Sequence, residues 1–480
     1  MNSQTAPNRF ARSEPFEVFT RPQRSRPARL AGLLIRRRVE IAVIVAGLLA
    51  WSWLTEHLPT WGAGLVLGVP TLAALAVPVS RRYLHRRVLA VLTRHRLRSV
   101  LVQRRVMNWT GNLPVLLWSR PTPVGERVWV LLRAGIDGVD IERNLAHIAS
   151  GCFARDARIS VTRRMTALVL VDVIRRDPLS GPAARPAAPR SAPGRPAGPA
   201  QRAHPEGSLI MRAIRRRPRP RSCPIDLAPT SIWDPIRLGI DENACSVDIT
   251  LIYRNILLAG EPGAGKSGGL NRITAHAALA TDCRLWLMDG KRVELGLWRR
   301  AAERFVGPDL AEAIDALGEL QAEMDRRYDQ LDTDGVRQIE RQDWTDAIML
   351  VIDELAYYSA TAGDKKQRDQ FSLLLRDIVA RGRAAGIIAV AATQRPSHDI
   401  IPVSLRDLFG YRLAFRCTTE TSSDIILGHG WHARGYDAST IDPEDRGVGW
   451  LLAEGGIPRR MRCTWLTDAD IAAVVTAVTS

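Results

Sequence analysis

The stretch 255–267, NILLAGEPGAGKS, decides the fold. An apolar strand (255–259) runs into Gly260, four residues, then Gly265-Lys266-Ser267, and a helical run GGLNRITAHAALA (268–280) follows. Strand, glycine-rich loop and helix in this order and spacing make a phosphate-cradling loop. The backbone N–H groups of Gly263, Ala264 and Gly265 face the phosphates of ATP, backed by the positive end of the helix. Lys266 is expected to reach the β- and γ-phosphates, and the Ser267 hydroxyl to bind Mg²⁺. The nucleotide-binding stretch is Gly260, Glu261, Pro262, Gly263, Ala264, Gly265, Lys266, Ser267 and Gly268.

Further along, AIMLVIDE (347–354) reads as a buried strand ending in two carboxylates. Asp353 is expected to hold Mg²⁺ through its water shell, and Glu354 to orient and deprotonate the attacking water. A third apolar strand, GIIAVAATQ (386–394), ends in Thr393-Gln394. Gln394 is placed to sense the γ-phosphate; the competing reading is a surface turn ahead of Pro396. Together these parts predict a RecA-like α/β P-loop ATPase. The intact set Lys266, Ser267, Asp353 and Glu354 argues against a scaffold that has lost catalysis.

Around this frame the sequence resembles the motor of the FtsK/SpoIIIE family of DNA translocases over about 235–475. The resemblance rests on LMDGKRVELG (287–296), EMDRRYDQLDTDGVR (323–337), VIDELAYY (351–358), ARGRAAGIIAVAATQRPSHDII (380–401) and YRLAFRCTTETSSDIILG (411–428). The segment from ILGHGWHARGYDAS to DRGVGWLLAEGG looks like the plasmid-transfer and integrative-element members in actinomycetes. The resemblance implies a homo-hexameric ring that threads double-stranded DNA and binds ATP between subunits. It also implies an arginine supplied in trans to the γ-phosphate, with Arg383 the first candidate and Arg412 and Arg416 behind it. After the motor only the short helical run 468–479 remains. That leaves no room within it for the winged-helix domain by which many relatives read oriented DNA motifs, so sequence-indifferent tracking is expected.

Outward from the motor the composition changes. Residues 1–222 hold 38 Lys+Arg against 12 Asp+Glu, a net of +26, whereas 223–480 hold 29 against 38, a net of −9. The basic half is therefore not the motor half, and the overall +17 says little about what the motor binds. The six cysteines, Cys152, Cys223, Cys245, Cys283, Cys417 and Cys463, form no C-x-x-C pair. That pattern suits reduced thiols better than a zinc site or a disulfide frame.

Between Arg38 and Arg81 two apolar runs, 41–54 and 61–79, flank the turn 56–60. Arginine clusters lie outside both ends, and Trp51, Trp53 and Trp61 lie near the turn. This predicts a two-span hairpin in the cell membrane with both chain ends cytoplasmic; a buried helical hairpin or re-entrant pair competes with it. The expected order is a basic tail (1–38), the membrane hairpin (39–80), an amphipathic helix read over 88–109 with a small α/β unit that includes a helix over 142–154 (together 81–177), a Pro/Ala/Arg-rich flexible linker (178–222) and the motor (223–480). The linker's RRRPRPR (215–221) is a candidate contact for DNA or acidic lipid, set against a solvated spacer.

The reading that unites these parts is a membrane-anchored, ATP-driven translocase of double-stranded DNA, for conjugative transfer or segregation. The alternative is a protein-export ATPase like those of type VII secretion. Those carry several motor modules in tandem, and one phosphate loop is present here.

Overall fold

The structure, a computed structural model, describes residues 37–108, 110–162, 165–180, 226–341 and 345–480. The basic tail up to 36 and the linker from 181 to 222 lie outside the described residues. The chain forms two compact units, Met1–Arg176 and Asp177–Ser480.

In the first unit the two apolar runs form helices α1 (Arg38–His57) and α2 (Thr60–Ala76). Leu58 is extended and Pro59 follows, which stops one helix and starts the next. No single described helix is long and apolar enough to cross a membrane. Thr60–Ala73 and Pro78–Gln103, bent by 92° at their break, pass that test as a pair. Helix α3 (Pro78–Gln103) starts ten residues before the expected 88, because Pro78 occupies the first turn, where its missing N–H costs nothing.

A four-stranded antiparallel sheet follows, in the order β1-β2-β4-β3. Its strands are β1 (Val115–Pro121), β2 (Gly125–Leu131), β3 (Asp156–Thr162) and β4 (Met165–Ile174). Alternation along β2 and β4 buries Val128, Val130, Val169 and Val171 in one cluster with Leu97 and Leu101 of α3. The expected helix over 142–154 divides into α4 (Gly138–Glu142) and α5 (Leu145–Gly151). The Asn144 side chain donates to the Asp140 carbonyl at the junction, competing with a continuing helix.

The second unit begins with a correction. Leu179, expected to lie in the linker starting at 178, is fully buried in the motor core. Its carbonyl accepts from Arg462 Nη1 at 2.7 Å. An apolar side chain and a buried guanidinium recruit the segment, so the motor unit starts at Asp177 and holds both ends of 181–225.

The motor is a ten-stranded sheet in the order β6-β5-β14-β13-β12-β7-β11-β10-β8-β9. The parallel strands are β7 (Ile256–Ala259), β8 (Cys283–Met288), β9 (Arg304–Val306), β10 (Ala347–Ile352), β11 (Ile387–Thr393) and β12 (Tyr411–Phe415). Antiparallel strands β13 (Val448–Ala453), β14 (Arg459–Cys463), β5 (Ile236–Asp241) and β6 (Ser246–Ile249) extend it. Helices cover both faces, so β7, β10 and β11 are buried along their whole length. Leu257 and Ala259 belong to one core cluster; Ile256 and Leu258 face the other.

Helix α6 (Lys266–Leu279) follows the phosphate loop. Helix α7 (Leu310–Asp334) is capped by the Asp309 side chain and ends at Gly335, whose φ of 64° closes it. Its Arg327 is fully buried and spends every nitrogen on an acceptor: Nε on Glu323, Nη1 on the Ala385 carbonyl and Nη2 on the Asp346 carbonyl. The EMDRRY motif therefore clamps α7 to the chain entering β10 and β11. Helix α8 (Lys365–Arg381) opens with a capping box of Asp364 and Gln367.

Candidate active site

Parallel pairing brings the carboxyl ends of β7, β11 and β10 side by side, with Thr393 opposite Ala259 and Ile352 opposite Ala391. The three sequence stretches singled out above therefore converge at one sheet edge, where α/β sheets bind ligands. The loop leaving β7 is tied on both sides. Gly260 N–H donates to the Thr393 carbonyl and Glu261 N–H to the Arg416 carbonyl. Gly265 has φ 105°, and a methyl group there would run into the backbone of Gly447. Gly447 N–H in turn donates to the Ala264 carbonyl at 2.8 Å. A side chain at 265 is excluded by both conformation and space.

Lys266 is 4% exposed. Its ammonium donates to Asp353 Oδ1 at 2.9 Å and to the Asp353 carbonyl at 2.7 Å. The second carboxylate oxygen, Asp353 Oδ2, is buried with no hydrogen-bond partner. A buried anionic oxygen without a donor is costly. It suits a cation, so these residues fit Mg²⁺ held by Ser267 and Asp353, which would neutralise phosphate charge.

Glu354 is 6% exposed and held by the end of β11. Its Oε1 accepts from the Thr393 hydroxyl at 2.7 Å and from Gln394 N–H at 3.1 Å. Gln394 thus sits at the strand end beside Glu354, through its backbone in this state. Lys291 Nζ lies 4.0 Å from Glu354 Oε2. Sequence reasoning missed Thr393's contact and Lys291. The loop that carries Lys291 is organised by Asp289, whose carboxylate accepts the N–H groups of Lys291, Arg292 and Leu295. An aspartate closing an apolar strand, two residues ahead of the basic pair Lys291-Arg292, was the available signal.

The arginine candidates separate. Arg383 lies beyond α8, ahead of β11, at the opposite end of that strand from Gln394, and Nη2 donates to the Leu408 carbonyl. It is not near its own chain's phosphate loop along the sheet. Arg412 opens β12 and pairs loosely with Asp407 at 3.5 Å; burial lowers its pKa. Arg416 pairs with Glu261 of its own phosphate loop at 2.9 Å. In this chain that contact braces its own loop.

The sheet order, with the phosphate-loop strand separated from the carboxylate strand by one strand, and the paired Lys266 and Asp353 define a P-loop ATPase motor fold. Residues 215–347 match the FtsK/SpoIIIE family model. Through this region the chain is similar to the FtsK/SpoIIIE family.

Similar curated proteins include the DNA translocase FtsK of Chlorobaculum tepidum, 29% identical over 264 residues, covering 50% of this chain and 31% of that protein. The DNA translocase FtsK of Staphylococcus epidermidis is 31% identical over 226 residues, covering 43% of this chain and 28% of that one. The similarity thus spans about three-tenths of each relative's own length. Among solved structures, the pCW3 conjugation coupling protein TcpA, in its monomer form with ATPγS, aligns with TM-score 0.49 at 15% identity, over 80% of this chain and 99% of that one.

Proposed function

We propose that this chain is an ATP-driven translocase of double-stranded DNA, working as a hexameric ring and anchored to the cell membrane by its N-terminal helices. The observation that carries the reading is the joined pair Lys266–Asp353 beside Glu354, in a motor region that resembles curated DNA translocases. In this reading ATP binds with its triphosphate on the 260–268 loop. Lys266 leaves Asp353 for the phosphates, Ser267 and Asp353 hold Mg²⁺, and Glu354 takes a proton from the attacking water. Gln394 senses the γ-phosphate, and Arg383, remote from its own loop, serves the site of a neighbouring subunit. DNA would be tracked through its phosphates, without base readout. The segment ILGHGWHARGYDAS (426–439), through its resemblance to plasmid-transfer and integrative-element members, supports a role in such transfer. The arginine-flanked helices of 38–76 support the anchor, with both ends cytoplasmic. The Arg-rich segment 215–221 is a further contact for DNA or acidic lipid.

The test is steady-state ATPase of the full chain with and without linear duplex DNA of unrelated sequences. Stimulation by every duplex, weakening steeply with salt, is expected. Absence of stimulation by DNA, with stimulation by a secreted polypeptide, moves the reading to protein export.

A further inference from the structure

A large aromatic side chain stands at the mouth of the phosphate loop with no assigned role. Trp465 leaves the end of β14 between residues that are locked in place. Cys463 is buried with its N–H on the Gly447 carbonyl, Thr464 N–H donates to the Leu238 carbonyl, and Leu466 is buried. Trp465 itself is 41% exposed. Backbone on both sides is fixed, so the indole is held out by its neighbours.

It is held against the first turn of α6. A methyl group at Gly268, one residue past Ser267, would sit 3.5 Å from the Trp465 ring and 3.6 Å from the Thr464 carbonyl. The helix start is therefore bare backbone on this side, with the indole edge lying along it. The turn that packs on Gly265 is joined to the same place, since Gly447 bonds both Ala264 and Cys463.

The sheet order sets the direction of a nucleotide bound here. The groups suited to the γ-phosphate, Lys266, Asp353 and Glu354, lie toward β11 and β10. The nucleoside end must then leave the loop on the other flank of β7, toward β12, β13 and β14. Trp465 is the exposed aromatic at the end of β14 on that flank. We propose that Trp465 is the platform on which the nucleobase stacks, on the ring surface left exposed beside the bare turn at Gly268. The proposal rests on the nucleotide-site reading above and adds to it the residue that reads the base end. Stacking on an indole is favourable for any base, because every base has a π-face.

The test is equilibrium binding by the full chain of a non-hydrolysable ATP analogue and of inorganic tripolyphosphate, both with Mg²⁺, for wild type, Trp465→Ala, Trp465→Phe and Lys266→Ala. Trp465→Ala should weaken the analogue about thirtyfold, the middle of the range for one lost stacking contact, and leave tripolyphosphate unchanged. Trp465→Phe should stay within about threefold of wild type, since a smaller ring still stacks. Unchanged analogue affinity in Trp465→Ala overturns the platform; so does an equal loss for tripolyphosphate, which marks a merely structural tryptophan. If Lys266→Ala binds both ligands as wild type does, the nucleotide-site reading itself fails and takes the platform with it.

Discussion

Two ion pairs, each built on a buried cation, lie at opposite ends of the motor's sheet, and they are built differently. At the amino end, Arg327 has an acceptor for each nitrogen: Glu323, Ala385 O and Asp346 O. At the carboxyl end, Lys266 is paired with Asp353, yet Asp353 Oδ2 has no donor. A saturated pair holds elements together. An unsaturated one, in a buried place where an orphan oxygen is costly, leaves capacity for a ligand. The contrast assigns one pair to structure and the other to chemistry.

That contrast can be broken by mutation, beginning where the effect is largest. Lys266→Ala should lower ATP turnover by about a thousandfold, because the developing phosphate charge loses its preorganised cation. The thermal midpoint should move far less than turnover does. A folded, active Lys266→Ala protein would put the chemistry elsewhere. Glu354→Gln should cost about 10²–10⁴ in turnover while nucleotide stays bound, since a general base is lost and the phosphate contacts are kept. Failure of nucleotide binding in that variant would make Glu354 a binding group.

Arg327→Ala should lower stability by about 3 kcal/mol, because the Ala385 and Asp346 carbonyls lose their buried donor, while Glu323 keeps Arg326. Denaturant midpoints check this, and nucleotide affinity of the folded fraction should be unchanged. A loss of affinity without loss of stability would reverse the assignment of the two pairs. Thr393→Val removes one donor to Glu354 with little change of shape. It should cost about 1 kcal/mol of stability and shift turnover less than tenfold, with Thr393→Ser restoring both.

The smallest effect is a pH dependence. The Arg326 guanidinium, then that of Arg327, hold the Glu323 carboxyl down to about 2. A carboxylate depressed in the folded state stabilises above its unfolded pKa of about 4.3 and loses that contribution as pH falls through its folded value. Glu323→Gln should therefore be less stable than wild type at pH 7, by about 1 kcal/mol once solvent screening is allowed for. The gap should close between about pH 4.3 and pH 2, seen as converging denaturant midpoints. A gap that persists at pH 2 would mean that the pair's charge contributes nothing.

How much was legible depended on the range of the interactions. The phosphate loop, the carboxylate strand and the third strand were readable because each is a local pattern: apolar runs ending in a fixed polar residue, with turn glycines at fixed spacing. The helices of the apolar runs 41–54 and 61–79 were readable from composition for the same reason, though the second ends at Ala76, where Val77 is extended ahead of Pro78. The long helix began early at Pro78, and the helix expected over 142–154 divided, because one side-chain contact, Asn144 to the Asp140 carbonyl, competes with periodicity.

The sequence by itself determined that a phosphate loop, a carboxylate pair and a polar strand end exist, since short-range spacing and chain geometry demand no distant partner. Only the tertiary structure decided which residues share the site. Sheet order carries Thr393 to Glu354, Arg416 to Glu261, Gly447 onto Gly265 and Leu179 into the motor core. These contacts join residues from 39 to more than 150 positions apart. They follow from strand pairing and core packing across the whole sheet, whose register and order leave no mark in any local pattern.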